Sequence, residues 1–151
     1  MKAKMLLLAL VVLMLAPRGT ALDDLEPVRV VRIWTSAGET VIETDTGAGG
    51  AGKGLTEAVQ NMQDSASGVV FLDTAEFLLL PEPIPDAGAL TAFFRPACRA
   101  CIAEGEMDLA SAGEYLQIHM PGTQLRDVDA KKKPLQILKF EGERWELANE
   151  E

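Results

Sequence analysis

VRVVRIW at residues 28–34, SAGE at 36–39 and TVIET at 40–44 decide the first step of the fold. The first run is rich in β-branched residues with basic side chains between them, which predicts a strand. Ser36, Ala37, Gly38 and Glu39 carry turn chemistry, so the second β-branched run predicts the return strand of a hairpin.

Working outward, DTGAGGAGKG at residues 45–54 predicts a flexible glycine-rich loop. Leu55, Ala58, Val59 and Met62 then recur at helical spacing, so residues 55–63 predict an amphipathic helix. Val69 to Leu72 predicts a buried strand, whereas Thr74 to Leu80 fits either a strand or a helix. Pro81, Pro83 and Pro85 form a rigid connection. Ala87 to Phe94 predicts a helix ended before Pro96, and Cys98 to Ala103 predicts another strand. Asp108 is the expected cap of a helix reaching His119, with Leu109, Ala112, Leu116 and Met120 as candidates for its apolar face. Asp127 to Pro134 predicts a charged linker, and residues 135–140 and 144–147 a closing hairpin around Glu141-Gly142-Glu143. Strands alternating with helices predict an α/β fold, with α+β as the alternative: a mixed sheet with helices on at least one face, in one small domain. The expected organisation is an export signal at 1–21, the α/β domain at 22–126, and the linker and hairpin at 127–151.

The export reading rests on Lys2 and Lys4, the apolar run from Leu6 to Ala16, and Gly19-Thr20-Ala21 before the expected cut. A membrane-spanning helix needs roughly 20 apolar residues, so cleavage is expected rather than a lasting anchor. An extracytoplasmic, envelope-associated location follows. The chain has a formal net charge of −9. Cleavage removes Lys2, Lys4 and Arg18 and no acid, making the exported domain more acidic still. Such a charge excludes nucleic acid as a partner, because phosphate binding needs a basic surface.

Three features carry potential chemistry. Gly47 to Gly54 approaches a P-loop, and Val69 to Asp73 resembles a strand ending in a magnesium-binding acid. The position that needs a Ser or Thr hydroxyl is Gly54, however. Cys98-Arg99-Ala100-Cys101 is a C-x-x-C pair, the candidate disulfide or redox site of an exported protein. A thioredoxin-type site places its first Cys at a helix start, and a strand at this position sends residues three apart to opposite faces. His119 is the single histidine, and the helix end it occupies suits an imidazolium. One C-x-x-C pair offers too few ligands for zinc. No catalytic residue, cofactor site or metal site is expected.

ALDDLEPVRVV at 21–31 resembles the start of mature Ger(x)C-type spore-germination proteins, where an acidic segment leads into the first strand. Gly54 to Val59 with Asn61-Met62 resembles their "G-x-T-x-x-E-A-x-x-x-L" helix. Val69 to Leu80 resembles the following apolar segment, and Arg95 with CRACIAEG at 98–105, followed by Asp108-Leu109, resembles their arginine-led strand and next helix. The lipid-bearing Cys of that family has no counterpart here. The resemblance implies the N-terminal domain of a germinant-receptor C subunit: a non-enzymatic α/β module that assembles with membrane receptor subunits at the envelope. Trp34, Phe93 and Phe94 are candidate contact residues, with core packing as the competing role. An exported thiol–disulfide protein using Cys98 and Cys101 is the rival expectation.

Overall fold

The first hairpin forms where the β-branched runs place it. The computed structural model describes residues 25–129 and 133–149; the expected signal at 1–21 and part of the expected linker lie outside them. Strand β1 (Leu25–Pro27) comes first. Strands β2 (Val30–Ser36) and β3 (Glu39–Thr44) then pair antiparallel, from Val31 opposite Thr44 to Ser36 opposite Glu39. Ala37 and Gly38 join them at φ 50° and 81°. Two positive φ angles make a type I′ turn, whose twist matches that of the paired strands.

The expected glycine loop is a strand for part of its length. Residues Gly49–Gly52 form β4 and pair antiparallel with β3. The reason lies behind them, in helix α1 (Leu55–Ser65), which buries Leu55, Ala58, Val59 and Met62. A Cβ added to Gly50 would stand 2.5 Å from the Met62 backbone nitrogen, and one on Gly52 would stand 2.7 Å from Glu57 Cβ. The glycines thus let the helix lie directly on the strand.

Strand β5 (Val69–Phe71) pairs only with β1, in parallel, and a 3₁₀ turn (Leu72–Thr74) follows it. The ambiguous run resolves as β6 (Phe77–Leu80), all four residues of which are buried. Strand β7 (Arg99–Glu104) comes next, and β8 (Gln136–Glu141) and β9 (Arg144–Asn149) form the expected closing hairpin. The main sheet has seven strands in the order β4-β3-β2-β6-β7-β8-β9. Strands β2, β6, β7 and β8 are parallel, with antiparallel partners on both margins. A continuous apolar run such as FLLL belongs to a parallel strand covered on both faces.

Helices supply both covers. Short helices α2 (Ala87–Thr91) and α4 (Leu125–Asp129) join α1 on one face. There Leu55, Met62, Leu90, Phe94 and Leu125 pack over Val31, Ile33, Leu78, Leu80 and Ile102. On the opposite face helix α3 (Leu109–Ile118) brings Leu109, Ala112 and Leu116 onto Val30, Phe77, Leu79, Cys101 and Leu138. The Asp108 carboxylate accepts from Ser111 N at 2.9 Å and caps α3 as expected. Gly113 allows this helix to approach β2: a Cβ there would meet Val30 Cγ2 at 2.7 Å.

The expected linker begins inside α4, since Leu125 to Asp129 is helical. Thr123 Oγ1 also donates to the Pro134 carbonyl at 3.0 Å. Because β8 pairs with β7, the closing hairpin is a margin of the main sheet and part of the same small domain.

Candidate functional site

Cys98 immediately precedes β7 and Cys101 lies within it. Cys98 packs among Leu90, Phe94 and Leu125 on one face, whereas Cys101 packs among Phe77, Leu116 and Leu138 on the other. The two are 2% and 1% exposed, and both are free thiols. Burial pushes each pKa up to about 12; at Cys98 the nearby Arg95 opposes the shift without cancelling it. A reactive cysteine needs a stabilised thiolate and access to its partner. Here both sulfurs are neutral at physiological pH and out of solvent. The strand expected at this position is present, and its alternation is what separates them.

The glycine segment does not form a phosphate cradle. Its central residues pair along β3 and pack directly against α1, whose Asn61 side chain donates to the Ala51 carbonyl at 2.7 Å. Lys53 N donates to Glu57 Oε2 at 2.9 Å, so the helix start is met by an acid from its own first turn. A 420 Å³ cleft beside the segment is lined by Glu26, Thr46, Gly47, Ala48 and Ser65 to Ser67, which include an acid and no base. Asp73 falls in the 3₁₀ turn beyond β5, a strand that is not part of the main sheet.

His119 caps the C-terminus of α3 and its ring centroid lies 4.5 Å from that of Tyr115. It is exposed and joins no catalytic constellation. Among the described residues, no group of three or more His, Cys, Asp or Glu is placed to hold a metal ion.

The apolar surface lies mainly where the sequence did not point. Phe94 is buried and Phe93 packs against the core, while Trp34 is half-buried beneath the Arg32 guanidinium, 5.3 Å from its ring. Burial lowers the pKa of Arg32, whose Nη2 donates to the Gly105 carbonyl. Ile118 is 78% exposed and Met120 56%, on either side of His119; Met120, expected on the apolar face of α3, instead faces solvent because the helix ends at Ile118. An aromatic row continues from there: Tyr115 stacks on Trp145 at 6.0 Å, and Trp145 meets Phe140 at 4.8 Å. Ile118 was missed because helical spacing identifies the buried stripe by Leu109, Ala112 and Leu116 and gives no reason to notice an apolar residue off that stripe.

A second apolar feature is a 410 Å³ cleft lined by Ile84, Ile102, Val128, Pro134 and Leu135, with Glu82 and Lys133 among its polar residues. Its position near the carboxyl ends of β6 and β7 is a common one for ligand crevices in parallel sheets.

Comparison with family models, curated proteins and solved structures finds no match for this chain. Among the described residues no helix is long and apolar enough to cross a membrane.

Proposed function

We propose that this chain is an exported, non-enzymatic α/β domain that binds membrane receptor subunits at the cell envelope. The observation that carries the reading is the solvent-facing pair Ile118 and Met120 beside the Tyr115–Trp145–Phe140 row. Large apolar side chains gathered on a surface mark contact sites when neighbouring residues supply a polar rim. Glu114, Gln117 and His119 are exposed around them. The buried, separated thiols favour this reading over the redox alternative, because they provide no accessible electron-exchanging pair. The resemblance to Ger(x)C-type proteins supplies the class of partner, and the signal-like residues 1–21 supply the compartment.

The test is envelope fractionation followed by co-purification with tagged membrane receptor subunits from the native host. The expected result is an extracytoplasmic protein that co-purifies with such a subunit, and an Ile118→Asp variant that folds, is exported and fails to co-purify. A protein retained in the cytoplasm would sink the reading. So would an exported protein whose receptor association survives Ile118→Asp.

A further inference from the structure

The outer margin formed by β9 carries a self-complementary pattern. A two-residue turn at Gly142 (φ 56°) and Glu143 (φ 62°) closes the β8–β9 hairpin on the pair Glu141–Arg144. Such a turn closes on a hydrogen-bonded pair, and bonded and non-bonded pairs then alternate along the ladder. Arg144, Glu146 and Ala148 therefore direct their backbone groups toward β8. Trp145, Leu147 and Asn149 direct theirs outward. Among the described residues no strand lies on that outer side. The opposite margin differs: β4 is short and α1 lies against it.

Charge runs across the sheet in ladders that stop at this margin. On one row Glu104 of β7 stands opposite Lys139 of β8, which stands opposite Glu146 of β9. The first step is a 2.8 Å ion pair. On the next row Glu141 of β8 stands opposite Arg144 of β9. One ladder thus ends in a negative charge and its neighbour in a positive one, two residues apart on the same face of one strand. On the other face Trp145 carries the aromatic row onto this margin, stacked on Tyr115 and against Phe140.

We infer that β9 pairs antiparallel with β9 of a second copy of this chain, about a two-fold axis at Trp145. That axis places Arg144 opposite Glu146 of the second copy, and Glu146 opposite its Arg144. Each charge ladder then continues with alternating sign into the other molecule. Trp145 meets its own counterpart, where the outward backbone groups of both strands, unpaired among the described residues, bond to each other. Opposite charges directly across strands attract and like charges repel. Alternatives that put Glu146 against Glu146 of the second copy are disfavoured by the same rule. The contact is isologous, as closed dimers require, and it leaves Ile118 and Met120 uncovered by its pairing strands.

The experiment is sedimentation of purified protein over a wide concentration range, with R144E, E146R and their mixture. Wild-type protein is expected to dimerise, more weakly as salt rises. Each single variant faces like charges across the axis and is expected to weaken self-association by roughly tenfold or more. An equimolar mixture of R144E and E146R restores both opposite-charge pairs and is expected to form a mixed dimer. Circular dichroism confirms that the variants are folded. A wild type that stays monomeric throughout overturns the inference, as do folded single variants that dimerise like wild type. A mixture no more associated than its components overturns the register. None of these readings depends on receptor binding, which is scored separately with Ile118→Asp.

Discussion

Cys98 and Cys101 are three residues apart in the chain and face opposite sides of the same sheet, each closed in by a different set of side chains. A small thiol reagent should accordingly find neither residue in the native protein. The expected outcome is slow labelling under native conditions and rapid labelling of both thiols after denaturation, unchanged by prior reductant. Fast native labelling of either residue, or a pair that appears only after reduction, would contradict the arrangement.

The same burial makes stability sensitive to alkali. Each thiol rises from its ordinary value near 9 to about 12 in the folded chain. The unfolded chain therefore releases these protons at lower pH than the folded one, and deprotonation favours unfolding. The contribution of both residues is complete below pH 9 and is lost progressively as pH climbs toward 12. Replacing both with Ala should flatten the alkaline limb of a pH–stability curve, measured by urea unfolding, relative to wild type. A limb of unchanged slope would show that these thiols are not its source.

Close helix approach gives a second class of expectation. Gly113→Ala places a methyl group against Val30 and the Arg29 side chain, and Gly50→Ala places one against α1 backbone. Each should cost about 1–3 kcal/mol, the usual range for forced overpacking. Gly122→Ala is the control: the nearest atom to its added carbon is Gln136 Oε1 at 3.9 Å. Its effect should lie within about 0.5 kcal/mol in the same chemical denaturation series.

Helix α3 offers an internal contrast two residues apart. Leu116 is fully buried and Ile118 is 78% exposed. Leu116→Ala should destabilise by about 2–5 kcal/mol, while Ile118→Ala should change stability by about 0.5 kcal/mol or less. Equal losses at both positions, read by urea midpoint, would mean that Ile118 is packed in the free protein.

The local signals that proved readable were those with one physical meaning. Leu55, Ala58, Val59 and Met62 make sense only as a helix stripe, and Asp108 before Leu109 only as a cap. Gly49 to Gly52 was harder because glycine marks both a free loop and a strand pressed against a helix. Only the packing of α1 separates the two. FLLL at 77–80 has no periodicity, so burial on two faces had to come from the strands and helices around it. The opposite placement of Cys98 and Cys101 could be anticipated from strand alternation, whereas the exposure of Ile118 depends on which helix face the sheet covers and that of Met120 on the helix ending at Ile118. The aromatic row was less accessible still, because it joins a helix to the last hairpin across about thirty residues of chain.

The order of strands in the main sheet follows the order of the chain once the first hairpin exists. The β2–β4 segment leaves one side of β2 open; β6 attaches there, and β7, β8 and β9 then follow in turn, each on the strand laid down before it. No later strand must be threaded between two that are already paired. A polypeptide delivered N-terminus first, from a ribosome or across a membrane, can therefore extend this sheet outward as it emerges, with each new strand covering the edge exposed by the last.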